Sequence, residues 1–239
     1  MRFCLSNFKD FKNILITAEL VLTEIKFEAD NDGLRFKGFG GGNASFFSVD
    51  FKKEYFDEFS IGAPETIIVD SSEINKIMKR VKNDDDVYVS IDDYSMNFTV
   101  NEKKKFKINA IDMEYNSQDI PPMEYPISTM VDFVDFKDSI NDSKLYSNTF
   151  AIESTRGSLV ISANGVLGEY SSELLVGDAL KNGQRSSFNS DLINSFFKLG
   201  NLSDMIHVSM GMDYPILLEV SDEFEEAVVK LLVAPRIEE

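Results

Sequence analysis

The sequence predicts an α+β chain built from two duplicated, β-rich domains, each carrying two short helices. Three observations lead there. Short segments recur in the same order: FKDFKNIL at 8–15 returns as FVDFKDSI at 133–140, SEINKIMK at 72–79 as DLINSFFK at 191–198, and VYVSIDDY at 87–94 as IHVSMGMD at 206–213, at offsets of 125, 119 and 119 residues. Most of what lies between them alternates apolar with polar residues or is rich in β-branched ones, the period of a half-buried strand. A length of 239 residues with 43% apolar and 27% charged side chains suits one large or two ordinary globular domains, and excludes a disordered chain, a collagen-like rod or a disulfide scaffold.

Taken in order, the first strand holds Cys4, and FKDFKNILITA then spaces Phe8, Phe11, Ile14, Leu15 and Ala18 along one helical face. TEIKFEA, GLRFKGF, SFFSVDF and TIIVD follow as strands, the first two separated by the NDG turn at 31–33. SSEINKIMKRVK is the second helix, with Ile74, Ile77, Met78 and Val81 inward, and Asp70 with Glu73 forms a capping-box-like start. DVYVSID, MNFTV and FKINAID are strands again. YNSQDIPPMEYP at 115–126 holds three of the six prolines and neither period, so it reads as a linker between domains at 1–114 and 127–239. The second domain repeats the plan, with helices beginning near Phe133 and spanning 189–199.

With 24 Lys and Arg against 41 Asp and Glu, the net charge of -17 excludes a generally cationic nucleic-acid binder and leaves only local basic faces for DNA. One cysteine, Cys4, forms no internal disulfide, and with the single His207 it provides too few ligands for a zinc site. No apolar run nears the roughly 18 residues of a membrane span, so a cytoplasmic protein without membrane partner is expected. GFGGGN at 38–43 lacks the third glycine of a dinucleotide loop and leads into a strand. Glu28, Asp30 and Asp32 imitate the start of a calcium loop, but Phe39 stands where its bidentate Glu belongs. Cys4 reads as strand packing rather than a nucleophile paired with His207, and the paired acids at 84–86 and 92–93 read as turn residues. No catalytic residue, cofactor or metal is expected.

The helix faces are more informative. Lys9 and Lys12 flank the first stripe, while Lys76 and Lys79 point away from the second, with Arg80 and Lys82 beside them. These six basic residues face only Asp10, Glu19 and Glu73, a local positive excess in an acidic chain. The second pair is the reverse: Asp132, Asp135, Asp138, Asp142 and Asp191 outnumber Lys137, Lys144 and Lys198.

At LLVAPRIEE (231–239), IPPMEY (120–125), ISANGVLGE (161–169), FKINAIDMEY (106–115), YFDEF (55–59) and MDYPILLEV (212–220) the chain resembles, end to end, the sliding clamps of the proliferating cell nuclear antigen type, especially the archaeal ones. The resemblance implies the DNA clamp fold and a ring of three subunits around duplex DNA, with strands outside and helices lining the hole. It implies a processivity factor that catalyses nothing and tethers a DNA polymerase, clamp loader, flap endonuclease and DNA ligase through their short peptide motifs.

By the same resemblance the partner-peptide pocket maps to Phe39, Asn43, Ala44, Phe46, Ile120, Pro121, Pro215, Leu232, Ala234 and Pro235. DNA-facing residues are Lys9, Lys12, Lys76, Lys79, Arg80, Lys82, Lys107 and Lys198. The subunit interface pairs Lys107, Asn109, Ala110 and Ile111 with Glu173, Leu174, Leu175 and Val176, and Lys103 to Lys105 face Glu169 and Glu173 across it. Two features depart from the family pattern: the glycines at 40–42 loosen a loop beside the pocket, and Asp135 and Asp138 stand where basic residues tend to face DNA. The latter admits a second reading, a specialised subunit of a heterotrimer or of a checkpoint-type ring.

Overall fold

The computed structural model describes residues 1–114, 120, 122–177 and 179–236. They fall into two compact units, Met1–Asp119 with Ser221–Val229, and Ile120–Val220 with Lys230–Glu239. A boundary drawn at 115–126 alone therefore misplaces 221–229, which groups with the first unit: there the N–H of Lys52 donates to the carbonyl of Glu226 at 2.8 Å.

The first unit runs β1 (Arg2–Leu5), α1 (Lys9–Glu19), β2 (Glu24–Asp30), β3 (Gly33–Phe39), β4 (Ser45–Lys52), β5 (Glu58–Ser60), β6 (Glu65–Asp70), α2 (Ser71–Met78), β7 (Val87–Asp92), β8 (Ser95–Val100) and β9 (Lys104–Asn109). Its strands form the antiparallel arrays β5-β1-β7-β8-β9 and β4-β3-β2-β6. The apolar stripe of α1 is wholly buried, and its Phe11 ring lies 5.5 Å from that of Phe3 and 5.0 Å from that of Phe51. Fully burying a side chain of this size contributes about 1.5 to 3 kcal/mol, so this aromatic cluster anchors the helix more than its propensity does.

The NDG turn closes β2 onto β3 with Asp30 opposite Gly33. Gly33 sits at φ 151°, and a Cβ there would fall 1.9 Å from the Phe51 carbonyl oxygen, so both backbone angle and space require glycine. Asp30 pairs with Arg35 and accepts from the N–H of Asp32, the hydrogen bonding of a turn.

The second unit runs β10 (Ile127–Asp132), α3 (Phe133–Ser143), β11 (Thr149–Ser154), β12 (Ser158–Gly165), β13 (Gly168–Leu175), β14 (Arg185–Asn189), α4 (Ser190–Asn194), β15 (Met205–Met210) and β16 (Ile216–Ser221), with β17 (Ala227–Val233) following. Its sheets are ordered β10-β15-β16-β17 and β13-β12-β11-β14. Strand for strand this repeats the first unit's β1-β7-β8-β9 and β4-β3-β2-β6, down to the helix that follows the first strand and the helix that follows β6 or β14.

Three expectations need correction. The second helix ends at Met78 rather than Lys82: the apolar period continues to buried Val81, but Arg80 already bonds back to Ile77 at 2.8 Å in a tightened turn, and the Asp85 carboxylate takes the N–H of Lys82. A helix over 189–199 breaks into α4 and a 3-10 turn at Phe196–Leu199, in which Phe196, Phe197 and Leu199 are buried. Asp70 caps α2 through the N–H of Ser72, but Glu73 pairs with Lys76 instead of reaching back, so the box is half formed. The short strand β5 is a further element, too brief to carry a period of its own.

Candidate nucleic-acid interface and docking edges

In the first unit α1 and α2 pack together and carry the expected basic residues in unequal roles. Lys12, half-buried, reaches the carbonyl of Val81 at 2.6 Å and the amide oxygen of Asn83 at 3.4 Å, and so ties α1 to the segment after α2. Lys76 occupies the last turn of α2, where its charge favours the negative end of the helix dipole, and pairs with Glu73. Lys79 caps the helix C-terminus, and Arg80 and Lys82 lie beyond it; all three are exposed. Lys9 is half-buried beside Asp10. The free positive charge thus sits at one end of α2 rather than along a ridge.

In the second unit α3 exposes Asp135 and Asp138, leaves Asp142 exposed at its far end, and is capped by Asp132 through the N–H of Asp135 at 2.9 Å. Lys144 pairs with Asp191 at 2.8 Å, while Lys198 stays exposed on the 3-10 turn. Phe133 and Phe136 meet Phe197 edge-on and hold that turn against α3.

The expected pocket residues divide between the units. In the first, the ring of Phe39, 37% exposed, lies 5.0 Å from that of Phe46, which is 7% exposed. Between them the loop turns through Gly41–Asn43, with Asn43 at φ 56°, and Ala44 is half-buried. In the second, Ile120, Pro215, Leu232 and Pro235 are half-buried and Ala234 is exposed, while Pro121 lies outside the described residues. Pro235 also lines a concavity of about 700 Å³ with Arg185, Ser186, Ser187, Met212, Asp213 and Arg236. Ser186 holds its wall, donating to the Gly211 carbonyl at 2.8 Å and accepting from the N–H of Asp213 at 3.0 Å. Met212, Asp213, Pro235 and Arg236 fall in the segments 212–220 and 231–239 that carry the family resemblance, whereas Arg185, Ser186 and Ser187 do not stand out in the sequence. The lining residues come from β14, the β15–β16 turn and the chain after β17, and no local pattern links them.

The two expected subunit edges are real edges: β9 ends one sheet and β13 ends another. Which backbone groups they offer differs from expectation. Ala110 donates to Tyr94, Ile111 to Ile68 and Val176 to Gly157, and Leu174 is buried, so these four face inward. Antiparallel ladders alternate, so the outward N–H and C=O groups belong to Lys105, Lys107 and Asn109 on β9 and to Glu169, Ser171, Glu173 and Leu175 on β13. Lys107 therefore lies on a sheet edge and not on a helix. Cys4 is buried in β1, where desolvation raises its thiol pKa, and His207 hydrogen-bonds Ser128 at 2.8 Å in the other unit. Among the described residues no helix is long and apolar enough to cross a membrane.

Comparison with known proteins adds three findings. The family model for the N-terminal domain of proliferating cell nuclear antigen matches residues 5–122. The DNA polymerase sliding clamp of Methanothermobacter thermautotrophicus is 31% identical over 222 residues, covering 91% of this chain and 90% of its own, and that of Methanobrevibacter smithii is 29% identical over 220 residues, covering 91% and 90%. In fold, the chain is similar to the A. fulgidus PCNA solved with the C-terminal region of FEN-1 (TM-score 0.92, 22% identity, covering 100% and 99%) and to a chain of the PCNA2-PCNA3 complex from Sulfolobus tokodaii (TM-score 0.90, 21% identity, covering 100% and 100%).

Proposed function

The chain belongs to the proliferating cell nuclear antigen family of DNA polymerase sliding clamps, and from that premise we propose that it is a ring-shaped processivity factor that encircles duplex DNA. The observation that carries this reading is the duplication itself: two units with the same sheet order, each placing its helices at the same points of the chain path. A closed ring of such units is held on DNA by topology, so it needs only weak, sequence-independent phosphate contacts and remains free to slide. No reaction is catalysed. The charge at Lys79, Arg80 and Lys82, with Lys9, Lys12, Lys76 and Lys198 contributing, supplies the phosphate attraction.

Polymerase, clamp loader, flap endonuclease and ligase would dock through short peptides whose apolar side chains anchor on Phe39, Asn43, Ala44, Phe46, Ile120, Pro121, Pro215, Leu232, Ala234 and Pro235. The similarity to a PCNA solved with the C-terminal region of FEN-1 supports that mode of docking. Domains at 1–114 and 127–239, joined by 115–126, remain the domain reading, with 221–229 completing the first. A cytoplasmic, nucleoid-associated location fits a protein that works on DNA.

The test is topological. Loaded by its clamp loader on a nicked circular duplex, the protein should stay bound through gel filtration and be lost when the circle is cut once. Equal retention on linear and circular DNA would overturn encirclement. A second reading, one subunit of a heterotrimer or of a checkpoint-type ring, is favoured by the acidic residues Asp135, Asp138 and Asp142 on α3, which repel phosphate. Under that reading the purified chain remains monomeric or dimeric until a paralogue is added.

A further inference from the structure

We propose that the turn joining β16 to β17 is a docking knob, and that it seats Phe224 of one copy in the concavity beside Pro235 of a second copy. The contact itself requires neither the ring nor the peptide pocket; its effect on partner binding rests on the docking reading above.

The knob is an addition to the duplicated plan. Strand order makes β16 and β17 the counterparts of β8 and β9, but the two hairpins close differently. In the β8–β9 turn the N–H of Lys103 donates to the carbonyl of Val100 at 3.0 Å around Asn101 and Glu102, whereas in the β16–β17 turn the N–H of Asp222 donates to Ala227 at 3.2 Å around four residues, 223–226. The longer turn lifts Phe224 clear of the surface, where it is 72% exposed.

That turn is nonetheless fixed. The Asp222 carboxylate accepts from the N–H groups of Glu226 at 2.7 Å and Ala227 at 2.8 Å, the Asp222 carbonyl accepts from Glu225 at 3.1 Å, and Glu225 is held at φ 54°. A scattered exposed aromatic is ordinary on a protein surface. One presented on a fixed backbone loses little freedom when it docks, which is the condition for an anchor residue.

The charge of the knob sets what it fits. Glu223 and Glu225 flank Phe224 and are exposed, so the receiving surface must be apolar at its centre and cationic at its rim. The concavity beside Pro235 has that form. Its volume of about 700 Å³ lies in the range of ligand-sized pockets, Met212 and Pro235 supply apolar wall, and Arg185 and Arg236 are exposed on it. Arg185 is joined to Glu153 at 3.2 Å in an exposed pair that a second carboxylate can share. Arg236 donates to Thr149 at 2.6 Å through Nη1, which leaves its other guanidinium donors for a carboxylate. Asp213 is the one acid in the lining against these two cations.

Because knob and socket are different residues, the contact is heterologous: each copy gives one and takes one, and copies add head to tail. A partner peptide anchored on Pro235 would occupy the same space. Stacking of copies and binding of a partner therefore exclude each other, and idle protein is stored with its docking site covered.

Sedimentation velocity on the full chain at low salt, up to hundreds of micromolar, tests this. The wild type should grow beyond its basal assembly as concentration rises, and the growth should fade at high salt. Phe224→Ala and Arg236→Glu should each raise the concentration required by more than about tenfold. Mixed together, these two variants should associate again, because the first keeps the socket and the second keeps the knob. No growth in the wild type, growth that persists in Phe224→Ala, or a mixture that stays at its basal mass overturns the contact. A synthetic peptide from the C-terminal region of the cognate flap endonuclease separates this proposal from the docking reading. It should return wild-type assemblies to their basal mass. Growth that survives saturation with bound peptide upholds the contact and removes the concavity from peptide docking, whereas Arg236-dependent peptide binding to a wild type that never grows overturns the contact and leaves the docking reading.

Discussion

The ammonium of Lys12 lies 2.6 Å from the carbonyl oxygen of Val81, so a residue that the sequence places on a basic surface joins α1 to the segment that follows α2 in its own unit. A charged hydrogen bond of this kind contributes about 1.5 to 3 kcal/mol when well formed, and half exposure lowers that. Lys12→Met is expected to destabilise the protein by about 1 kcal/mol in urea unfolding. It should also change the salt dependence of DNA binding less than Arg80→Ala does. The reverse ranking would return Lys12 to the DNA-facing set.

Because Arg80 and Lys82 are exposed beyond the end of α2, they are the residues to remove when testing for phosphate binding. Each phosphate left without its cation lowers the slope of log affinity against log salt by about 0.9 on duplex DNA. Arg80→Ala with Lys82→Ala should therefore flatten the slope by up to about 2 per subunit. Asp135→Lys with Asp138→Lys should steepen it. Salt titration on nicked circular duplex reads both, and a weakening by the aspartate reversals would mean that α3 does not face DNA.

Charging the docking residues separates tethering from assembly. Pro235→Glu with Ile120→Asp places carboxylates where apolar peptide side chains would sit, and burying an unpaired charge costs several kcal/mol. Stimulation of a cognate polymerase should fall at least a hundredfold while the light-scattering mass stays unchanged. Undiminished stimulation would remove these two residues from the pocket.

Asp70 caps α2, and hydrogen bonds from Ser72, first its hydroxyl and then its backbone N–H, hold the carboxyl below the usual carboxylate pKa. A depressed folded-state pKa contributes stability above the unfolded value and loses it as pH falls through the folded one. Asp70→Ala should cost about 1 kcal/mol at pH 7. The gap to wild type should narrow below about pH 4, where the unfolded carboxyl begins to protonate. A gap that persists unchanged at pH 2.5 would show that charge is not what the cap supplies.

Most strands are legible because alternation is a local signal: the segment Glu24–Asp30 folds as β2 with every second side chain buried. Helix faces are legible for the same reason, and the stripe from Phe8 to Ala18 is fully buried. Helix ends are not. Val81 keeps the apolar period after α2 has stopped, and what stops it is a carboxylate at Asp85, set by the fold. The edges can be located in the sequence, yet which of their N–H groups point outward depends on ladder parity, which the bonds of Ala110 and Val176 reveal and composition does not. The concavity beside Pro235 draws on residues far apart along the chain, so nothing local in the sequence joins Arg185, Ser186 and Ser187 to Met212, Asp213 and Arg236.

The grouping of 221–229 with the first unit also governs how the protein is made. Synthesis is vectorial, and N-terminal domains ordinarily fold as they emerge. Here β4 waits for Glu226, 174 positions after Lys52, so the first unit leaves the ribosome with one side of β4 unpaired until almost the whole chain has been translated. An unpaired strand edge is a template for aggregation, and pairing across such sequence separation is slow. Nascent chains stalled before residue 221 should bind chaperones and resist protease poorly over residues 45–52, and protection there should appear only with chains that expose 226.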